Sequence, residues 1–219
     1  MRGLLFDPST EPLRVLLLGA HADDIEIGCF GAVDLLRRNP MAVEVLWVVF
    51  SAAEARASEA RASAEALLSR GFDGATIHVG DLPDAYFPAR WADAKRWLDE
   101  VAGDFEPDLL FTHHRDDRHQ DHRVVSELTW NRFRDAMILE YEVPKYDGEL
   151  GQPNTFVAME DEVMTRKTRH LIEFFPSQAT RPWFTESTFR ALARLRGVES
   201  GVESGHAEAF HVRKMRLVG

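Results

Sequence analysis

The feature that most constrains the fold is an alternation of short apolar runs with helix-like stretches. Four runs are apolar nearly throughout, which is typical of strands buried on both faces of a parallel sheet. They are RVLLLGA (14–20), VEVLWVVFS (43–51), ATIHVGD (75–81) and PDLLFTHH (107–114). Two further strand-like runs follow, MILEYEV (137–143) and NTFVAM (154–159). Each run is short enough to cross a sheet once, so the chain predicts at least six strands.

Helical patterns occupy the stretches between these runs. They cover residues 27–38, 54–70, 88–103 and 121–136, with two more at 163–175 and 187–198. Strands that alternate with helices predict an α/β fold with a doubly wound, mostly parallel sheet and flanking helices. No linker, repeat or low-complexity tract interrupts the pattern, so we expect a single domain spanning residues 1–219.

Composition narrows the class of partner and the compartment. The 219 residues carry a net charge of −10, which argues against a general nucleic-acid surface because phosphate binding needs a positive field. Cys29 is the single cysteine, so no intrachain disulfide can form. The first 14 residues lack the pattern of a signal peptide, and no apolar run approaches the ~20 residues that cross a bilayer. We therefore expect a cytoplasmic protein without a membrane span.

Two clusters of polar side chains follow strands of the predicted sheet. His21, Asp23 and Asp24 come directly after the first strand. The second cluster follows the fourth strand and contains His113, His114, Asp116, Asp117, His119, Asp121 and His122. In an open α/β sheet, ligands bind outside the carboxyl ends of the strands. The two clusters therefore face each other if the first and fourth strands are neighbours.

The residue types in these clusters indicate a metal site. Zinc takes nitrogen from histidine and oxygen from aspartate, and a catalytic site uses three protein ligands plus water. His21 and Asp24 are three residues apart on a tight strand-to-helix turn. His119 and His122 have the same spacing, which places both on one face of a helical turn. The competing interpretation is that the paired aspartates only cap the following helix.

Three stretches resemble the LmbE/PIG-L family of zinc-dependent N-deacetylases. AHADDIEIGCFGAV (20–33) is similar to the first signature of that family, and HHRDDRHQDH (113–122) is similar to the second. GHAEAFHV (205–212) resembles the closing strand of the family. The resemblance extends over essentially the whole chain. It implies a Rossmann-like α/β domain that removes acetyl groups from amino sugars.

The resemblance also implies a role for each matching residue. His21, Asp24 and His122 correspond to the ligands of one Zn²⁺ ion per chain. Asp23 corresponds to the general base that accepts a proton from water. His119 matches the histidine that polarises the amide carbonyl or stabilises the oxyanion, and Asp121 is expected to orient it.

Departures from the family pattern concern the surroundings of these residues. Ala22 replaces a proline and Phe30 interrupts a glycine pair, but neither change removes a ligand. Glu54 and Arg56 roughly match substrate-contacting positions, and the start of a solvated helix explains them equally well. Asp84 is a weaker candidate of the same kind, for which a turn residue is the simpler interpretation.

The sequence thus predicts a metal-dependent hydrolase that removes the acetyl group from an N-acetylated amino sugar or glycoconjugate, such as an N-acetylglucosamine conjugate. One alternative is a two-metal phosphoesterase in which Asp116 and Asp117 supply extra ligands. Another is a non-catalytic α/β protein that binds a sugar or a partner and keeps a structural metal. The expected partner is a small-molecule amino sugar, with no nucleic acid, and the sequence leaves a homo-oligomer open.

Overall fold

The computed structural model describes residues 11–147 and 149–215, which form one mixed sheet with six α-helices. The strands are β1 (Leu13–His21), β2 (Val43–Ser51), β3 (Gly74–Val79), β4 (Leu109–His113), β5 (Met137–Tyr141), β6 (Thr155–Met159) and β7 (His206–Val212). The helices are α1 (Asp24–Arg37), α2 (Ala55–Leu68), α3 (Trp91–Ala102), α4 (Gln120–Arg132), α5 (Asp161–Phe174) and α6 (Glu186–Ser200). Each predicted strand and helix is present.

The sheet has the order β3-β2-β1-β4-β5-β7-β6. The first five strands are parallel, whereas β7 runs antiparallel to both of its neighbours. The α/β, doubly wound and mostly parallel architecture is therefore confirmed. Strand β7, the last one in the described part of the chain, does not lie at an edge, because it is inserted between β5 and β6.

The pairing of β1 with β4 brings the two polar clusters to one edge of the sheet. Leu16 lies opposite Leu110 and Leu17 lies opposite Phe111 in this parallel pair. Both strands are buried along almost their whole length, as their apolar sequences predict. The carboxyl ends of these two neighbours therefore place His21 and His113 at the same edge.

The third apolar run is an exception to the predicted burial on both faces. In β3, Ala75 and Thr76 are exposed and the remaining residues are only half-buried. The expectation is wrong at this strand because β3 forms the edge of the sheet and pairs with β2 alone. An edge strand has covering elements on fewer sides, whatever its composition.

Apolar layers cover both faces of the sheet. One layer joins Trp47 of β2 to residues of α1, α2, α5 and α6, among them Ile25, Ala60, Leu171 and Phe189. The other joins Leu18 of β1 to Leu98 of α3 and Val125 of α4. Alternate residues of each buried strand enter opposite layers, so the central strands are packed on both faces.

A buried ion pair ties α1 to α5 and β7. The ammonium of Lys167 lies 2.8 Å from the Glu208 carboxylate and donates to the Ile27 carbonyl oxygen at 2.6 Å. The same carboxylate accepts hydrogen bonds from the backbone N–H groups of Gly31 and Ala32 in the middle of α1, at 2.7 and 2.9 Å. Helix α1 is therefore anchored to α5 and β7 by charged groups.

Two expectations concern the ends of the chain and the membrane. Most of the N-terminal segment whose composition argues against a signal peptide, residues 1–10, lies outside the described residues. Within residues 11–147 and 149–215, no helix combines the length and the apolar character that crossing a bilayer requires.

Candidate active site

The turn from β1 into α1 presents the first polar cluster. His21 is the last residue of β1, and α1 begins at Asp24, three residues before the predicted start at position 27. The Asp24 Oδ2 atom accepts a hydrogen bond from the His21 backbone N–H at 2.7 Å, which closes the turn. Asp23 occupies the N-cap position, but its side chain makes no capping hydrogen bond. Helix capping therefore does not account for Asp23.

The second cluster lies where the chain enters α4. His119 is the N-cap of this helix, and its Nδ1 atom accepts a hydrogen bond from the Asp121 backbone N–H at 3.3 Å. This bond leaves Nε2 as the protonated nitrogen of a neutral His119 ring. His122 lies in the first turn of α4 and is almost completely buried. Its neighbour one turn back, His119, is half-buried, so the pair spans the boundary between core and solvent.

Three ligand atoms from the two clusters converge. His21 Nδ1 lies 3.4 Å from Asp24 Oδ2 and 3.3 Å from His122 Nε2, and the remaining distance between Asp24 Oδ2 and His122 Nε2 is 3.5 Å. Ligands about 2.0–2.2 Å from a tetrahedral zinc ion are separated by about 3.3–3.6 Å. The three side chains therefore fit a single divalent ion without rearrangement.

Carboxylates hold the far sides of both imidazoles. Asp117 Oδ2 lies 2.8 Å from His122 Nδ1. Nε2 of His21 lies 3.2 Å from Asp121 Oδ2 and 3.0 Å from Asp84 Oδ1. Histidines that bind metals almost always donate their second ring N–H to a carboxylate or carbonyl, which fixes the tautomer and the ring orientation. The arrangement on each ring is the one that metal binding needs.

The side chain of Asp121, which the family resemblance paired with His119, contacts His21 instead. Its carboxylate receives hydrogen bonds from the backbone N–H groups of Ala85 and Phe87, at 2.7 and 3.1 Å, in addition to its contact with His21. Only the backbone N–H of Asp121 reaches the His119 ring. The side chain thus joins His21 to the loop between β3 and α3.

His113 is a buried site residue that the sequence does not distinguish from its neighbours. Its ring stacks on that of His122 with centroids 3.8 Å apart, and its Nε2 lies 3.2 Å from Asp24 Oδ2. The same nitrogen accepts a hydrogen bond from the Ala20 backbone N–H at 2.9 Å, so its lone pair is already used. His113 therefore packs behind the three converging atoms. The sequence shows His113 as one of seven histidines and aspartates between positions 113 and 122, without a spacing to set it apart.

Other ligand sets are also possible among the described residues. In each of three other groups the potential ligand atoms lie within 4.8 Å of one another: His119 with His21 and His122, His113 with Asp24 and His122, and Asp84 with His21 and Asp121. The second group is the least suited, because the Ala20 N–H already occupies Nε2 of His113. The last set uses the opposite edge of the His21 ring. A set with His119 would make this residue a fourth ligand, which is the competing role for it.

Lys145 was not predicted at the site. Its ammonium is buried, lies 2.9 Å from the Asp117 carboxylate and also contacts Glu149. The segment 141–150 is rich in charged and turn residues and gave no indication of this contact. Asp117 is therefore engaged by His122 and Lys145, while Asp116 is exposed. This placement does not favour the two aspartates as ligands of a second catalytic metal.

Asp23 is a buried carboxyl beside the converging atoms. Its Oδ1 accepts a hydrogen bond from Arg56 at 2.9 Å, whereas Oδ2 is buried without a partner among the described residues. Burial and the neighbouring Asp24 carboxylate raise the pKa of Asp23 to about 6, and the Arg56 cation opposes this rise. A carboxyl with a pKa near the working pH and a free oxygen is suited to proton transfer.

Burial and neighbouring groups shift the pKa values of His21, His119 and His122 in different directions. Burial and the neighbouring His113 lower the pKa of His122 to about 3, so its ring is neutral. Burial and the neighbouring His21 also lower the pKa of His119. Burial opposes the charged form of His21, but hydrogen bonds to Asp121, Asp24 and Asp84 raise its pKa well above the ordinary value. Excess negative charge therefore surrounds His21, where a cation would be stabilised.

The three residues predicted to contact substrate have different surroundings. Arg56, near the start of α2, reaches Asp23, and Asp84 reaches His21 with more than half of its side chain exposed. The hydrogen bond from His21 lowers the pKa of Asp84 to about 2. Glu54 is exposed at the N-cap of α2, with φ of 51°, and its side chain makes no capping bond. Two of the three therefore touch proposed site residues.

A known protein family matches the part of the chain that carries both polar clusters. The sequence profile of the PIG-L family, described as GlcNAc-PI de-N-acetylase, matches residues 16–133. No curated protein sequence matches the chain.

Solved structures share the fold at low sequence identity. GalB, the 4-carboxy-2-hydroxymuconate hydratase from Pseudomonas putida KT2440, is 19% identical with a TM-score of 0.71, over 94% of this chain and 98% of that chain. N,N'-diacetylchitobiose deacetylase from Pyrococcus horikoshii is 21% identical with a TM-score of 0.63, over 91% and 83%. The zinc-inhibited form of teicoplanin deacetylase Orf2 is 14% identical with a TM-score of 0.64, over 91% and 97%.

These structures confirm the architecture, and a fold by itself does not determine a reaction. The family profile is more specific because it includes both polar clusters, from His21 to His122, and spans more than half of the chain. On that match, the chain belongs to the PIG-L family.

Proposed function

We propose that this protein is a zinc-dependent hydrolase that removes the acetyl group from an N-acetylated amino sugar or glycoconjugate. The observation that carries the proposal is the convergence of His21 Nδ1, Asp24 Oδ2 and His122 Nε2 within 3.5 Å of one another. Membership of the PIG-L family supports amide hydrolysis as the reaction.

In the proposed site, His21, Asp24 and His122 would hold one zinc ion. When bound, such an ion polarises the amide carbonyl and lowers the pKa of water to about 7. Asp117 and Asp121 orient the two imidazoles from behind, at 2.8 and 3.2 Å. Their role is to keep the lone pairs directed at one point.

Asp23 serves as the general base in this mechanism. Its unpartnered Oδ2 accepts a proton from water as the water oxygen forms a bond to the carbonyl carbon. Arg56 holds the other oxygen, so only one edge of the carboxylate is available. The protonated carboxyl then returns the proton to the amine nitrogen as the C–N bond breaks, which releases acetate and the free amine.

His119 stabilises the charge that develops on the carbonyl oxygen. Because Nδ1 accepts the Asp121 backbone N–H, a neutral ring carries its proton on Nε2 and can donate it as a hydrogen bond. The lowered pKa of His119 supports a neutral donor. This assignment does not require the ring to be charged before the substrate arrives.

Substrate contacts are proposed for Glu54, Arg56 and Asp84. The exposed fraction of the Asp84 side chain is 58%, and that of Arg56 is 27%, so both can reach solvent while touching the site. Carboxylate and guanidinium groups suit the hydroxyls of a sugar. We also propose a single domain, since no linker or repeat interrupts the chain, and a location in the cytoplasm, since the single cysteine, Cys29, can form no intrachain disulfide.

The decisive experiment measures acetate release from a panel of N-acetylglucosamine conjugates by the zinc-loaded protein. The Asp23→Asn variant is the matched control. It should retain zinc and lose about 10²–10⁴-fold in turnover, as removal of a general base does. Loss of the metal instead would make Asp23 a ligand and reverse the roles given to the two aspartates.

The acetate assay, together with assays on other substrates, distinguishes the alternative functions. A protein that binds zinc and an amino sugar without releasing acetate would be a binding module with a structural metal. Hydrolysis of p-nitrophenyl phosphate without acetate release would favour the phosphoesterase. Because a hydratase shares this fold, a lack of acetate from every conjugate would also require a test of water addition to unsaturated acids.

A further inference from the structure

A cavity of about 210 Å³ lies between α1, α2 and α5, away from the candidate active site. Helix α1 begins with Asp24 at that site, whereas the cavity is lined by the second half of the helix, from Phe30 to Arg37. At a rise of 1.5 Å per residue, the two ends of this 14-residue helix are about 20 Å apart. The proposed deacetylation uses none of the residues that line the cavity.

Apolar and aromatic side chains form part of the lining. Phe30 and Val33 come from α1, and Leu67 comes from α2. The ring of His170, on α5, lies 5.5 Å from that of Phe30 and stacks on that of Phe174 at 4.3 Å, measured between centroids. Burial lowers the pKa of His170 to about 4, so the ring is neutral. Such a lining is suited to an apolar guest, and its rings favour an aromatic one.

Three arginines line the same cavity, namely Arg37, Arg166 and Arg169. The first two contact the buried carboxylate of Asp34, in the case of Arg166 at 2.5 Å. Arg38 contacts it as well, at 2.9 Å. A single carboxylate therefore meets three guanidinium groups, and its one negative charge cannot balance them. The positive charges that remain repel one another and would attract a further anion.

The other carboxylates nearby compensate this excess only weakly. Glu162 lies 3.8 Å from Arg166, but 85% of its side chain is exposed, and exposed ion pairs contribute little. Glu173 lines the cavity, is exposed and makes no ion pair within residues 11–147 and 149–215. Arg169 likewise has no charged partner in the described part of the chain. Counting three arginines against Asp34 and Glu173, the lining carries one net positive charge.

Contacts between the three helices hold the cavity open without a ligand. The ammonium of Lys167, on α5, donates to the Ile27 carbonyl oxygen of α1 at 2.6 Å. His170 Nε2 lies 2.8 Å from the hydroxyl of Ser63, which joins α5 to α2. A cavity whose walls are already fixed binds a ligand with little ordering cost.

We propose that this cavity binds a small aromatic monocarboxylate, a compound with one ring and one negative charge. An apolar cavity of about 150 Å³ can hold benzene, so about 210 Å³ has room for a ring and a carboxylate. The carboxylate pairs with Arg166 and Arg169, because guanidinium groups bind carboxylates through paired hydrogen bonds. The ring packs against Phe30 and Leu67. The single net positive charge of the lining matches a monoanion better than a phosphate dianion.

The experiment titrates the 219-residue chain with benzoate by isothermal titration calorimetry. We expect one molecule per chain and a dissociation constant below about 1 mM. Benzamide has the ring without the charge, and acetate has the charge without the ring. Each should bind at least about 10-fold more weakly than benzoate, because each lacks one of the two interactions.

Two variants test the charge and the space separately. Arg166→Gln removes one cation and leaves Asp34 paired with two other arginines, so the fold is retained. Benzoate should bind this variant about 10-fold more weakly. Leu67→Phe keeps every charge but fills part of the cavity, and it should lose most of the benzoate binding. Arg96→Gln is the matched control, since it makes the same change of charge on α3, which packs on the other face of the sheet, and it should bind as the wild type does.

Several outcomes would overturn the site. Benzoate that binds Arg166→Gln or Leu67→Phe as tightly as the wild type is bound elsewhere, for instance at the proposed zinc ion. Tighter binding of phenyl phosphate than of benzoate would overturn the assignment to a monocarboxylate. If circular dichroism shows that Leu67→Phe does not fold, the comparison of benzoate with acetate tests the apolar lining instead. The titration needs no acetylated substrate, so its result is independent of the deacetylase proposal.

Discussion

Replacing Glu26 with glutamine should remove a pH-dependent loss of stability from the core behind the active site. Glu26 lies on α1 and is completely buried. The Ser63 hydroxyl donates a hydrogen bond to one carboxyl oxygen, while the other has no partner within the described residues. Ser63 in turn contacts His170 Nε2 at 2.8 Å. No cation compensates the charged form of Glu26 among these contacts.

The size of the effect follows from the pKa. Burial raises the pKa of Glu26 from its ordinary value of 4.5 to about 8, although the hydrogen bond from Ser63 opposes the rise. Between these values the folded chain holds a proton that the unfolded chain releases. The stabilisation is therefore fully present below pH 4.5 and is lost as the pH rises through 8, at about 1.36 kcal/mol per pH unit. Between pH 5 and pH 8, ionisation of Glu26 therefore lowers the free energy of unfolding by about 4 kcal/mol.

The assay is urea unfolding of chelator-treated wild type and Glu26→Gln at pH 5 and pH 8.5. Glutamine preserves the shape and the acceptor for Ser63 but cannot ionise. The difference in unfolding free energy between the two proteins should therefore shift by about 4 kcal/mol in favour of the variant at the higher pH. Exposed Glu65 on α2 provides the control, and Glu65→Gln should follow the wild type. Parallel pH profiles for wild type and Glu26→Gln would refute the reasoning.

Three other predictions concern the site itself. Asp117→Asn should weaken zinc binding about 10–100-fold by freeing the His122 ring, which a competition titration with a chelator measures. His119→Ala should keep its zinc and lower kcat and kcat/KM together by about 10²–10³-fold, and restoration of activity by excess zinc would make it a ligand instead. Arg56→Gln should move the acidic limb of the kcat/KM profile to higher pH, because loss of the cation raises the pKa of Asp23. Arg56→Lys should leave the limb in place, and an unmoved limb in the glutamine variant would contradict the assignment.

Strand positions were predictable because the central strands are buried on both faces. The run at 43–51 matches β2 at both ends. Its residues are apolar nearly throughout and show no helical periodicity that would suggest another structure. The edge position of β3 was not predictable, because its composition resembles that of the central strands. The insertion of β7 between β5 and β6 depends on long-range pairing that no local pattern contains.

The three converging ligand atoms were predictable from spacing and family resemblance, whereas their supports were not. Asp121 meets His21 because the loop after β3 folds back and binds the same carboxylate through Ala85 and Phe87. Lys145 reaches Asp117 from 28 positions along the chain. Contacts of this kind depend on the path of loops, which residue type and local periodicity do not determine.

The anchoring of α1 by Lys167 and Glu208 has a consequence for how the molecule acquires its activity. Helix α1 follows the first strand, yet the carboxylate that binds its middle turn comes from β7, 176 and 177 positions later along the chain. Strand β7 must also be in place before β6 has a partner in the sheet. A ribosome therefore delivers the helix that carries Asp24 long before the strand that secures it. We expect the nascent chain to remain unable to hold the proposed zinc ion tightly until β7 has emerged.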